Sequence, residues 1–339
     1  MQKLAKMIYD DAFKNLNNLD FSKLQNKTIL ITGATGLIGT YFIASLKNLS
    51  DKKNIKTKVI AIAHSEPSQY WKDLLPEGYR IIKGDISDVD ILKKLPKVDY
   101  IIHAAGYGQP GRFLENPIKT LNLNTLATYY LLEKLKSKGG FLFMSTSEVY
   151  SGSSKIPYHE DDIGTTNTMH KRACYIEGKR CGEAITMSYR DKGVDVKVAR
   201  ASLIYGPGTK KGDQRVLNSF IVKALNGKIE MLDSGDARRT YCYITDAIEM
   251  LWNILLFGKE AIYNVGGESK ITIAGLAKKI GKYINAPIKI PRKDHSLSGA
   301  PDDVWLDLNK IKKEFKKNKF ISLDQGLLNT IEWQKELYK

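Results

Sequence analysis

Five short apolar runs constrain this chain more than any other feature of its sequence. They are KTILIT (27–32), KVIAIA (58–63), YRIIKG (79–84), VDYIIHAA (98–105) and GFLFMS (140–145). None alternates apolar with polar, so each must be covered on both faces, as the strands of a parallel sheet are. Helix-like stretches lie between them at about 37–49, 117–138 and 171–192, and a further strand, VDVKVAR (194–200), follows. Strand–helix alternation of this kind predicts an α/β fold with a doubly wound parallel sheet. After about Tyr205 the pattern changes to helices near 214–226, 244–257 and 272–284, with one short strand, AIYNV (261–265). This part reads as a smaller α/β lobe. The leading residues, MQKLAKMIYDDAFKNL, have helical apolar spacing, acids early and no apolar signal region. The expected organisation is a helical extension at 1–26, a nucleotide-binding domain at 27–204 and a substrate lobe at 205–339, with some chain crossing between them.

The turn after the first run carries a candidate site. In TGATGLIG, Gly33, Gly36 and Gly39 have the spacing GxxGxxG, directly after a strand and opening a helix. Glycines allow the tight turn and let a pyrophosphate approach the backbone, while the helix start offers free N–H groups. Gly33, Thr35, Gly36, Leu37, Ile38 and Gly39 are therefore candidate dinucleotide contacts in a Rossmann-type sheet. An acid at the end of the second strand would grip the ribose 2′-hydroxyl of NAD. Ala63, His64 and Ser65 stand there instead, so NAD is expected, NADP is not excluded, and His64 is the candidate contact.

Composition excludes several classes. No segment reaches the ~18 apolar residues of a membrane span; the best, 247–257, is short and contains Glu249. Cys174, Cys181 and Cys242 are too scattered for a disulfide framework or a metal site, which fits a reducing cytoplasm. The net charge of +16 comes from lysines spread along the chain, and KIKKEFKKNKF (310–320) reads as a polar helix face plus a loop. No nucleic-acid partner is expected. A positive potential would help to attract an anionic small molecule.

Tyr175 and Lys179 form YxxxK within ACYIEGKRCGEAI, and at four residues apart they share a helix face. A nearby ammonium would stabilise a phenolate and let tyrosine take a proton from a hydroxyl. STSEVY (145–150) follows the fifth strand and supplies Thr146 and Glu148.

From residue 27 onward the chain resembles the extended short-chain dehydrogenases/reductases, in their nucleotide-sugar-modifying branch. Asp85 and Ile86 in KGDI match the adenine-contacting segment, and Ala104, Ala105 and Gly106 match the loop under the cofactor. His103 matches the start of that loop or is a packed strand-end histidine, and no catalytic role is assigned to it. ENPIKTLNLNT (115–125), STSEVY, RACYIEGKR (172–180) and GDQRVLNSFI (212–221) look like UDP-glucuronate decarboxylases. The resemblance implies that Thr146 binds the sugar hydroxyl, Glu148 relays protons, and Arg215 and Arg239 hold the diphosphate of a nucleotide sugar. It implies sugar oxidation at C4, followed by decarboxylation or 4,6-dehydration, with polysaccharide biosynthesis as the setting. A homodimer through helices that include the Tyr175 helix is also implied. The sequence departs from the decarboxylases at Leu203, where they carry Asn, and at Phe113, where they carry Tyr. Ser147 stands where several 4,6-dehydratases carry Asp. A 4-epimerase is the alternative chemistry, and a catalytically silent NAD(P)-binding regulator is the alternative of another class.

Overall fold

The computed structural model describes residues 1–291 and 303–339. Seven strands form the central sheet: β1 (Thr28–Thr32), β2 (Lys58–Ala63), β3 (Arg80–Lys83), β4 (Val98–His103), β5 (Leu135–Thr146), β6 (Asp195–Ala201) and β7 (Ile262–Val265). Their order is β3-β2-β1-β4-β5-β6-β7, all parallel. The order reverses direction between β1 and β4. That switch point opens a crevice at the carboxyl ends of the strands, the usual ligand position in such sheets.

Successive side chains explain why the strands are apolar throughout. Ile29, Ile31, Leu142 and Met144 enter one core, and Leu30, Phe141 and Phe143 enter the core on the opposite face. Period-two geometry with both faces covered favours apolar side chains at both parities, and the polar ones that are buried, such as Arg200, are paired.

The structure alters four expectations. First, the helix expected over 117–138 is two helices, Pro117–Asn124 and Leu126–Leu132. Hydroxyl and amide side chains of Thr120, Asn124, Thr125 and Thr128 donate to carbonyls four residues back, a local competition that breaks or bends helices. Second, β5 begins at Leu135, before the apolar run, because Leu135 already pairs with Val98 of β4; the register then shifts, so that Tyr100 pairs with Gly140 and the polar KSK segment bulges between the two.

Third, AIYNV does not belong to a separate lobe. It is β7, paired with β6 in the main sheet. The helix Ile244–Phe257, buried along most of its length, returns the chain to that edge. The second, smaller sheet comprises Ile204–Tyr205, Arg238–Tyr243, Ser269–Thr272 and Asp303–Val304. Fourth, the basic run is not wholly a solvated face. Lys317 is buried, its Nζ donating to Asp246 Oδ1 at 2.7 Å and Glu249 Oε2 at 2.8 Å. The leading helix Lys3–Ala12 also enters the main core through Ala5, Ile8 and Ala12.

Candidate active site

Two turns meet at the switch point. Gly33 has φ 64°, a left-handed conformation that glycine adopts freely, and a Cβ there would lie 2.6 Å from Ala104 O. A Cβ at Gly39 would lie 2.4 Å from Gly33 O. Gly36 is the N-cap of the helix Leu37–Lys53 and has no side chain over its first N–H groups. Leu37 is buried and Ile38 half-buried behind the turn.

Of its two readings, His103 takes the scaffold one. It is buried, with Nδ1 2.8 Å from Thr32 Oγ1 and Nε2 3.1 Å from Leu123 O. The carbonyl fixes Nε2 as the protonated nitrogen, so Nδ1 accepts from Thr32. Thr32 Oγ1 in turn accepts from Ala105 N at 3.1 Å. Burial, with help from Lys179, pushes the imidazole down to about 3. It stays neutral and holds the loop Ala104–Ala105–Gly106 against β1.

At the far end of the crevice His64 is exposed, its Nε2 3.5 Å from Asp85 Oδ2. Asp85 accepts from Ser87 N at 2.9 Å and Ser87 Oγ at 2.8 Å, and it pairs with Lys119. Burial pushes its carboxyl up, but the Lys119 and Ser87 hydrogen bonds prevail and hold it below the usual range. Ile86 beside it is buried.

The third group forms on the helix Ala173–Arg190 and the end of β5. Tyr175 is buried and its phenol lies close enough to the Thr146 hydroxyl to be stabilised by it as the phenolate. Thr146 Oγ1 also accepts from Glu148 N at 3.3 Å. Phe113 lies parallel to the Tyr175 ring, with centroids 4.7 Å apart. Burial pushes the Tyr175 phenol up to about 12, and Glu148 adds to this; Thr146, Arg172 and Arg215 oppose it. Lys179 is buried too, its Nζ donating to Met144 O at 2.6 Å and lying over the Phe143 ring. Burial lowers it to about 7 against the pull of Glu183. The ammonium is thus anchored on β5, where the spacing alone predicts direct coupling to Tyr175.

Glu183, one turn beyond Lys179, takes the Ser145 hydroxyl and both prongs of Arg200, at 3.0 Å from Nε and 2.7 Å from Nη2. This buried pair pins the helix to β5 and β6. Gly182 brings the surfaces together: a Cβ there would lie 2.4 Å from Phe143 and 2.5 Å from Asn124 O.

Sequence reasoning missed several partners. Glu148 is held by Arg172, with Nε 2.8 Å from Oε2 and Nη2 on Oε1, and Arg172 lies over the Phe113 ring. Arg172 precedes Tyr175 by three residues, a helical spacing that could have flagged it. Nothing in the spacing links it to Glu148. Lys119 at Asp85 and Lys210 at Thr35 were equally invisible. Arg215 is brought near enough for its charge to act on Tyr175, and its guanidinium rests on Asp213 at 2.7–3.1 Å. Arg239 sits on the strand Arg238–Tyr243, where its charge acts on Tyr158 and Tyr241. Thr146, Glu148, Tyr175 and Arg215 therefore gather in one place.

The residues fit a dinucleotide. Gly106 faces Lys179 Nζ and Asn124 Oδ1, which a Cβ would approach to 3.6 and 3.8 Å. Asn124 Oδ1 is buried and has no hydrogen-bond partner among the described residues, so a polar group is wanted at this point of the crevice. No cluster of three or more metal-ligating side chains occurs among the described residues. No described helix is long and apolar enough to cross a membrane.

Comparison with known proteins agrees with this geometry. UDP-glucuronic acid decarboxylase 1 of Xenopus tropicalis is 30% identical over 323 residues, covering 93% of this chain and 74% of that protein. UDP-glucuronic acid decarboxylase 5 of Arabidopsis thaliana is 29% identical over 318 residues, covering 92% and 90%. Among solved structures, the dTDP-glucose 4,6-dehydratase DesIV of Streptomyces venezuelae superposes with a TM-score of 0.78 at 22% identity, covering 91% of this chain and 97% of that one. The UDP-glucuronic acid 4-epimerase of Bacillus cereus gives 0.77 at 23%, covering 92% and 100%. At that identity the likeness is one of fold. Residues 29–266, from β1 through β7, match the model of the NAD dependent epimerase/dehydratase family, and to that family of extended short-chain dehydrogenases/reductases the chain belongs.

Proposed function

We propose that this protein oxidises a nucleotide-diphosphate sugar at C4 and that its substrate is a uronate, which it decarboxylates in the manner of UDP-glucuronate decarboxylases. The observation that carries the reading is the group around Tyr175: a buried phenol close to Thr146, with the Glu148–Arg172 pair beside it. When bound in the crevice, NAD supplies the two-electron acceptor and later the donor. As the phenolate, Tyr175 Oη takes the proton of the C4 hydroxyl while Thr146 orients that hydroxyl. The C4 carbonyl stands β to the C5 carboxylate, so the C5–C6 bond breaks and CO2 leaves. Glu148 relays a proton from solvent water to the enolate carbon C5, so one proton is consumed as CO2 leaves, and Tyr175 returns its proton as C4 is reduced. Arg172 keeps Glu148 aimed, and its charge beside the Tyr175 group suits a uronate carboxylate. Arg215 and Arg239 serve the diphosphate.

Further parts of the reading rest on the same sites. NAD is the cofactor, with His64 at the adenosine ribose in place of an acid. Ile118 and Tyr129 are exposed on the helices beside the Tyr175 helix, which supports a homodimer across that face. The setting is cytoplasmic polysaccharide biosynthesis.

The purified protein is incubated with NAD and a panel of nucleotide sugars, and products are weighed by mass spectrometry. Loss of CO2 from a UDP-uronate is the expected result. Loss of water would reassign the reaction to dehydration, and an isomer of equal mass would reassign it to epimerisation. Tyr175→Phe should lower turnover by about 10²–10⁴-fold with NAD affinity retained, the range for removal of a general acid–base group. Unchanged turnover in that variant would remove Tyr175 from the mechanism.

A further inference from the structure

Lys210 lies in the loop between Ile204–Tyr205 and the helix Val216–Leu225, far along the chain from the glycine turn. Its Nζ nevertheless donates to Thr35 Oγ1 at 3.0 Å. Thr35 stands inside that turn, one residue before the N-cap Gly36. A cation from the second half of the chain therefore reaches across the crevice onto the turn.

The loop that carries Lys210 is tied down on both sides of it. Thr209 Oγ1 donates to Gly206 O at 2.9 Å, and Trp333 Nε1 donates to Thr209 O at 3.1 Å. Gly212 N donates to Tyr338 Oη at 2.9 Å. Trp333 is fully buried on the C-terminal helix Leu323–Leu337. Lys210 itself is exposed, so its side chain does not support the core. The backbone is held and the ammonium is aimed, which lowers the entropic cost of binding something at its tip.

The charge at that tip is unbalanced. Among the described residues Lys210 has the Thr35 hydroxyl as a partner and no carboxylate. Desolvation and the nearby charge of Arg112 both act against its protonated form. Lys210 thus stands at a helix start whose own field is positive, within reach of the charge of Arg112. This arrangement lacks an anion, and a lysine point charge with spare N–H donors suits a phosphate oxygen.

We propose that Lys210 is a cofactor-retaining residue: the strap formed by residues 206–212 lays its ammonium on the diphosphate of the dinucleotide bound at the glycine turn. The inference rests on the reading that this crevice binds NAD. A reaction that restores its oxidant within one turnover gains from a cofactor that does not leave, and a clamp from outside the sheet provides that.

Calorimetric titration of the full-length protein tests this. NAD, ADP-ribose, adenosine and UDP are titrated into wild type, Lys210→Gln and Lys210→Arg. Glutamine keeps a donor for Thr35 and removes the charge. Lys210→Gln should weaken NAD and ADP-ribose binding by about tenfold or more, the effect of losing one charge-assisted hydrogen bond. Adenosine binding and the melting temperature without ligand should not change, and Lys210→Arg should recover most of the affinity. NAD affinity should also fall less steeply with salt in Lys210→Gln than in wild type. Equal NAD affinity in wild type and Lys210→Gln overturns the inference and leaves the functional reading standing. Weaker UDP binding with unchanged ADP-ribose binding also overturns it, moving the cation to the substrate's diphosphate. Failure of wild type to bind NAD at all overturns the functional reading itself.

Discussion

At Lys179, burial and chemistry pull in opposite directions. The folded chain lowers its ammonium to about 7, while the unfolded chain keeps the ordinary value of 10.5. Below about pH 7 both states are charged, and the folded state carries the whole cost of burying that charge. Between the two values the unfolded state binds more protons, so stability from this group rises with pH. Lys179→Met should therefore melt higher than wild type at about pH 6, and the gap should narrow toward about pH 9. A gap that stays constant with pH would show that Lys179 is not desolvated as placed. The same burial raises Tyr175 to about 12. A phenol so placed is protonated near neutrality and must lose its proton to solvent before it can act as a base; Thr146, Arg172 and Arg215 favour that loss by stabilising the phenolate.

The helix Ala173–Arg190 shows what an element needs in order to present such residues. Its register against β5 is set where Gly182 leaves no room for a Cβ. Gly178 lies one turn earlier, and a Cβ there would meet nothing nearer than 3.5 Å. Gly182→Ala should cost about 1–3 kcal/mol of stability by overpacking and should lower turnover by moving Tyr175 off Thr146. Gly178→Ala should be neutral or gain up to about 1 kcal/mol in helix propensity. Thermal melts of the two variants compare them directly. Equal losses would mean that close approach is not the cause. Glycine at both positions is plain in the sequence, but only the packing separates them.

Across the whole molecule, buried carboxylates join distant parts of the chain. Asp246 accepts from Asn15 Nδ2 at 3.1 Å, Lys317 Nζ at 2.7 Å and Ile321 N at 2.8 Å. Asp11 accepts from Tyr41 Oη at 2.9 Å and Tyr243 Oη at 2.8 Å. The leading helix, the sheet and the C-terminal segment are thereby tied together. Lys317→Met would leave Asp246 buried without its counter-ion. Breaking such a pair costs about 3–5 kcal/mol, read as a lower urea midpoint. A shift typical of a surface lysine, within about 0.5 kcal/mol, would refute the burial.

The sequence by itself determined the parallel sheet, the glycine turn and the placement of Thr146 and Tyr175. Each follows from local rules: apolar runs too continuous for a one-sided strand, φ values open to glycine, and residues set at strand ends or one helical turn apart. Tertiary structure alone decided the partners. Glu148 with Arg172, Asp85 with Lys119, Thr35 with Lys210 and Asp246 with Lys317 are pairs separated by 24 to 175 residues. The move of AIYNV into the main sheet belongs with them. Periodicity reports which side of an element meets water, but a charge pair depends on where the chain returns in space, and no local pattern encodes that.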